Sequence, residues 1–413
     1  MAPAEQQDRT PSTADVVRDF YDRHPYPPPL TDLSAYRQRW NDPQLRRCDF
    51  HLHWPWRAFD DTYSILIAGC GTSQAARHAM RWPVAQVVGI DVSGTSVRCT
   101  EELKGRYGLA NLTVQQLALE RAAELRCQFD QIVCTGVLHH LPDPAAGLRA
   151  LRTVLKPDGA LHLMVYAPYG RAGIYMIQAF CRRTGILPTD PGLQQLLATL
   201  RLLPADHPVA RTLRDAPDFR SAAGLADALL NPQDRAYSVP ELFGLLEGNG
   251  LQFVRWVRQA PYSARCGTLV SLPGAAQLQD LPTCEESAAV ELFRGTMVRH
   301  SALVYRDDHP WQSRRIGFTG QEFLQSVPLR LPDTVTVRER PPRGAVAVLG
   351  SRSHAYADTT LPVGARELRL VESIDGTRTV AELIAGGADP DRNAALLERL
   401  WWHDQIVFDA SRS

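Results

Sequence analysis

The chain has 413 residues, 44% of them hydrophobic and 22% charged, and its 45 basic and 45 acidic side chains leave a formal net charge of +0. That length exceeds what one core usually holds, so two or more domains are expected, and the composition excludes a disordered or fibrous chain. Zero net charge supplies no basic field for steering onto nucleic acid, and no apolar run reaches the roughly 18 residues of a membrane span.

The first thirty residues lack a signal peptide's basic start and apolar core, so a cytoplasmic protein without a membrane partner is expected. The 8 cysteines are scattered with no C-x-x-C pair, which indicates neither a zinc site nor a disulfide framework. No metal is expected.

Residues to about Pro11 are polar and expected to be disordered. Ser12 or Thr13 then caps a helix that stops at Pro25-Tyr-Pro-Pro-Pro29, where prolines force extended backbone. Phe20, Tyr21, Tyr26, Tyr36, Trp40, Trp54 and Trp56 crowd around this arm, taken as residues 1–54.

Next, the β-type run Tyr63-Ser-Ile-Leu-Ile-Ala68 breaks into Gly69-Cys70-Gly71, and a second apolar run, Val87-Val-Gly-Ile-Asp91, ends on a carboxylate. This is the spacing of a nucleotide-cradling βαβ unit. A dinucleotide fingerprint wants a third glycine at position 74, where this chain has Gln74, and that turns the reading away from NAD. Asp91 is placed to accept hydrogen bonds from ribose hydroxyls, a need shared by NAD and S-adenosylmethionine. Cys70 reads as a small buried residue, not a nucleophile.

Two further segments follow in order: Phe129-Asp-Gln-Ile-Val-Cys-Thr-Gly-Val-Leu-His-His140, then Leu155-Lys-Pro-Asp-Gly-Ala-Leu-His-Leu-Met-Val165. Together with the glycine turn and the acidic strand end, they resemble class I S-adenosylmethionine-dependent methyltransferases. The resemblance implies a Rossmann-like, doubly wound α/β sheet that binds S-adenosylmethionine and releases S-adenosylhomocysteine. It implies that Gly69, Cys70 and Gly71 form the loop under the methionine and ribose, and that Asp91, with Val92 beside it, holds the ribose hydroxyls. Thr135, Gly136 and the residues to His139 would lie beside the sulfonium. Two departures stand out: Ile67 occupies the family's usual acidic position, and the adenine-contacting acid is missing, with Gln116 as its candidate replacement.

The methyl donor carries its own leaving group, so the protein must align a nucleophile and remove its proton where it has one. His139 and His140 are candidates for the base, although a Leu-His-His-Leu segment also occurs where such histidines only pack or cap. Tyr166, read as catalytic, and Tyr169 and Arg171, read as substrate contacts, face the presumed cleft. Tyr21, His24 and Tyr26 do so from the arm. These tyrosines orient an amine or wall in a cation, or they pack a lid. Asp234 and Arg235 touch substrate or fix a loop.

Residues 168–236 read as a helical insertion covering the substrate side of a methyltransferase domain taken as 55–260, with the helix Ser238–Gly250 and the strand Leu251–Trp256 completing it. The remainder, 261–413, is expected to be an accessory α+β domain. Val290–His300 reads as helix or strand, and residues near 365–410 follow a winged-helix-like order whose second helix has only Arg378 as a basic residue, which argues against DNA. Phe293-Arg-Gly-Thr-Met-Val-Arg-His300 with Asp375-Gly-Thr-Arg-Thr379 resembles the methyltransferase regulatory domain of bacterial protein lysine methyltransferases.

The expected function is methyl transfer to a nitrogen or oxygen of a peptide, protein side chain or natural product. The alternatives are a small-molecule enzyme whose C-terminal domain serves dimerisation, and a non-catalytic S-adenosylmethionine sensor. No nucleic-acid partner is expected, and a homodimer is compatible with the accessory domain.

Overall fold

The computed structural model describes residues 13–385 and 389–412. The expected disorder up to Pro11 and the Ser12 cap lie outside the described residues.

Three helices form the arm: α1 (Thr13–Arg23), α2 (Ser34–Trp40) and α3 (Pro43–His53). The Asp42 side chain accepts from Gln44 N and starts α3, with Pro43 in the first turn. Phe50 and Trp54 then pack edge-on against Tyr63, closing one face of the sheet.

The core alternates strand and helix: β1 (Ser64–Ala68), α4 (Gln74–Arg81), β2 (Gln86–Asp91), α5 (Gly94–Tyr107), β3 (Leu112–Gln116), β4 (Phe129–Thr135), α6 (Pro144–Val154) and β5 (Leu155–Tyr166). β1 to β5 are parallel neighbours; the central β1 is buried on both faces and reads as a continuous apolar run, whereas the edge strand β3 leaves Thr113, Gln115 and Gln116 exposed. Gly89 of β2 allows α4 to sit close, since a Cβ there would lie 2.8 Å from that of Ala75.

The insertion follows β5 as α7 (Ala172–Thr184), α8 (Asp190–Leu200), α9 (Pro208–Asp215) and α10 (Ala222–Leu230), with its own apolar core around Ile177, Leu196 and Leu229. Then come α11 (Val239–Glu247), β6 (Leu251–Trp256), α12 (Ala275–Gln279), α13 (Thr283–Arg294) and β7 (Arg299–Arg306). The strand order is β3-β2-β1-β4-β5-β7-β6.

The expected boundary at 260/261 therefore cuts the sheet and needs correction. β7 comes from the stretch assigned to the accessory domain, yet it inserts between β5 and β6, antiparallel to both, with Leu303 and Val304 fully buried. An antiparallel strand needs no crossover helix before it, so the βα rhythm used to bound the domain does not register it.

The rest comprises α14 (Gly320–Gln325), β8 (Val327–Arg330), β9 (Thr334–Val337), β10 (Ala347–Ser351), β11 (Leu361–Val363), α15 (Ala365–Ser373), α16 (Val380–Ala385), α17 (Pro390–Trp402) and β12 (Ile406–Asp409). Asp375 accepts from the backbone of Thr377 and Arg378 and forms the turn before α16. Three helices, α15 to α17, precede the strand β12, which pairs with the distant β8 and does not close a local hairpin. This part is fastened to the rest of the molecule: Asp404 accepts from the backbone of Gln259 and Ala260, and Arg47 pairs with Asp409. Among the described residues, no helix is long and apolar enough to cross a membrane, and no cluster of His, Cys, Asp and Glu could hold a metal ion.

Candidate active site

The parallel strands deliver their carboxyl ends to one rim, where a cavity of about 580 Å³ opens under the arm and the insertion. Gly69 and Gly71 turn the chain there at φ +78° and +53°; a Cβ on Gly69 would lie 2.2 Å from Val137 Cγ2, so only glycine fits. Gly71 N donates to Asp91 Oδ2 at 2.8 Å and Ser93 N to Oδ1 at 2.9 Å. The carboxylate is thus held by the loop while it lines the cavity. Enclosure by protein outweighs these hydrogen bonds and raises the Asp91 pKa to about 6. Cys70 is fully buried, and burial pushes its thiol pKa up, which removes it as a nucleophile.

Gln74 has a function of its own. Its Nε2 donates to Thr135 Oγ1 at 2.8 Å, linking the first turn of α4 to the end of β4 across the cavity wall. The arm closes over the same loop. Thr72 Oγ1 donates to Pro27 O at 2.8 Å, and Tyr26 O and Pro27 Cδ both stand 3.4 Å from where a Gly71 Cβ would project. The Tyr26–Pro27 bond is cis. From α1, Asp22 Oδ1 accepts from Ser93 Oγ at 2.7 Å and Thr95 N at 3.0 Å, pinning the arm to the start of α5.

Of the candidate residues, the structure gathers Gly69, Cys70, Gly71, Asp91, Val92, Thr135, Gly136, His140, Tyr166, Tyr21, Tyr26 and Arg171 around one cavity. Four others need correction. Gln116 is exposed and donates to Val92 O at 3.0 Å, outside the cavity, whose wall there is Leu117 to Leu119. Tyr169 is 42% exposed on the outer surface, because the Pro168–Gly170 turn is held against Met297 and projects it outward. His24 turns away, with Nε2 3.0 Å from Pro188 O.

His139 is the fourth. It is fully buried behind Tyr166, ring centroids 3.9 Å apart, with neither ring nitrogen hydrogen-bonded, and burial holds its pKa well below the ordinary histidine value. His140 lines the cavity instead. Its Nδ1 lies 2.6 Å from Gln233 O, an acceptor only, so Nδ1 carries a hydrogen, and in the neutral tautomer this leaves the lone pair on Nε2.

Arg171 stacks 3.5 Å above the Tyr166 ring and pairs with Asp234 at 2.8 Å, both side chains buried. Asp234 therefore fixes Arg171, while Arg235 donates its backbone N–H to His139 O. Sequence reasoning missed Asp227 of α10, which is 3% exposed, lines the cavity and accepts from Tyr21 OH at 2.8 Å. Its signal was a single acid inside the apolar run Ala222-Ala-Gly-Leu-Ala-Asp-Ala-Leu-Leu230. Val298 and Arg299 were also missed, since they reach the cavity from the start of β7.

Comparison with known proteins bears on the domain that carries this cavity. Residues 66–161 match the sequence profile of a methyltransferase domain. An uncharacterised Synechococcus protein is 34% identical over 254 residues, 59% of this chain and 60% of that protein. A ubiquinone biosynthesis O-methyltransferase of Leptothrix cholodnii is 28% identical over 146 residues, 33% of this chain and 62% of the relative. The chain thus spans about three fifths of the length of these curated relatives. PKMT2 from Rickettsia typhi, solved with AdoHcy, has a similar fold at TM-score 0.62 and 16% identity, covering 93% of this chain and 77% of that one.

Proposed function

We propose that this chain, which carries a class I S-adenosylmethionine-dependent methyltransferase domain, transfers the methyl group of S-adenosylmethionine to a nitrogen or oxygen of a peptide, protein side chain or natural product. The observation that carries the reading is the single cavity joining the glycine loop and Asp91 at one end to His140 and Tyr166 at the other. Its volume of about 580 Å³ suits a cofactor-sized ligand.

In this reading the Gly69–Gly71 loop underlies the methionine and ribose, ionised Asp91 accepts from the ribose hydroxyls, and Leu117 to Leu119 flank the adenine. Ile67 lies fully buried in the sheet, so Gln74 and Thr135 supply polar groups where the family has an acid. When bound, the cofactor supplies an electrophilic methyl group on a sulfonium that leaves as a neutral thioether. Gly136, at φ +81°, leaves room beside Thr135 for that centre. His140 Nε2 takes the acceptor's proton, Tyr166 orients the acceptor, and the α7–α10 insertion excludes water. Both Tyr21 and Tyr166 have pKa values raised well above the ordinary value by burial, so they stay neutral donors.

Methyl-labelled cofactor incubated with the protein and a bacterial lysate, then separated into protein and small-molecule fractions, tests this. Enzyme-dependent label in either fraction supports transfer and names the acceptor class. Cofactor binding with no label in any fraction contradicts it in favour of a sensor.

A further inference from the structure

We infer that Asp227, carried into the cavity by α10, is the anchor for a positively charged amine head on the methyl acceptor, an assignment that rests on the methyltransferase reading above. A carboxylate buried to 3% exposure inside a helix is costly unless it is paired or hydrogen-bonded. Asp227 has partial compensation only. Oδ1 accepts from Tyr21 OH at 2.8 Å, and Oδ2 lies 3.4 Å from Tyr166 OH.

Among the described residues, no arginine or lysine pairs with Asp227. The nearby cation, Arg171, is committed to Asp234 at 2.8 Å and to the face of Tyr166. At the acceptor end of the cavity Arg171 and Asp234 therefore neutralise each other, while the Asp227 carboxylate lines the cavity without such a partner. Tyr21 and Tyr166 add aromatic rings beside it, and a cation gains from both the charge and the rings. An anionic acceptor meets the Asp227 carboxylate and is repelled. A neutral alcohol gains one hydrogen bond and no charge.

A purely structural tie between α1 and α10 would need no charge. Tyr21 OH donates to Asp227 and accepts from Asn231 Nδ2 at 3.0 Å, and an amide at 227 would preserve both bonds. The charge itself is what a cationic head requires. With the ammonium held on Asp227, His140 Nε2 is the neighbouring group that removes one N–H proton and frees the lone pair for the methyl carbon.

The test uses the full chain saturated with S-adenosylhomocysteine and titrated calorimetrically with n-butylammonium chloride or n-butanol. The expected result is binding of butylammonium and not butanol, with Asp227→Asn weakening butylammonium at least about tenfold while S-adenosylhomocysteine affinity is kept. Asp227→Glu, which retains the charge, should bind butylammonium and decides the matter if the amide variant does not hold S-adenosylhomocysteine. Equal butylammonium affinity in wild type and Asp227→Asn overturns the assignment. So does no butylammonium binding to wild type, or its loss in Asp227→Glu with S-adenosylhomocysteine still bound. Failure of wild type to bind S-adenosylhomocysteine would instead overturn the methyltransferase reading itself.

Discussion

Asp91 sits where two requirements conflict: in the proposed role it holds ribose hydroxyls as the ionised carboxylate, yet protein encloses it and raises its pKa to about 6. The sign follows from that rise. A carboxyl whose folded pKa lies above its unfolded value favours folding below the unfolded pKa, and that contribution is lost as pH rises through about 6. Cofactor affinity runs the other way. S-adenosylhomocysteine should bind about tenfold more weakly near pH 5 than near pH 8, and Asp91→Asn should flatten the profile, as calorimetry at the two pH values would show. A pH-independent wild-type affinity would reject the role of ionised Asp91. The two histidines separate in the same way. His139→Leu replaces an imidazole with two unsatisfied nitrogens and should leave the thermal midpoint unchanged or raised. His140→Gln should lower turnover about 10²- to 10⁴-fold with cofactor affinity intact, and unchanged turnover would remove His140 as the base.

At the scale of elements, the glycine loop and the arm act as one clamp. Gly69→Ala places a Cβ against Val137 at positive φ and should cost about 2 kcal/mol, read as a lower thermal midpoint. Asp22→Ala frees α1 from Ser93 and Thr95 and should increase hydrogen exchange in residues 13–29 without unfolding the sheet. Unchanged exchange there would show that the other contacts of the arm, Thr72–Pro27 and Tyr21–Asp227 among them, hold it without Asp22. The elements that could be read from sequence are those with local signals: the glycine turn, the strand ending at Asp91, the capped α11. β7 was not legible as part of the sheet, because its partners β5 and β6 are fixed by long-range pairing. Tyr169 and Gln116 misled for a related reason. Both are near the cavity in sequence, but the Pro168–Gly170 turn and the Val92 carbonyl orient them away from it.

For the whole molecule, the accessory part is welded to the sheet and is not a loose appendage. Arg255 lies 3.5 Å from Asp404, His354 lies 3.0 Å from the same carboxylate, and α3 of the arm contacts β12 through Arg47 and Asp409. Asp227 was hidden at this scale too: its importance depends on α10 folding back over a cavity whose other walls are far away in sequence. Arm, sheet and insertion all meet at one cavity, and the proposed function rests on that convergence. Its most direct test is calorimetric titration of the wild-type chain and Asp91→Ala with S-adenosylhomocysteine. One site per chain is expected, with affinity reduced about 10- to 100-fold in the variant. No binding to the wild type, or identical binding to both, would contradict it.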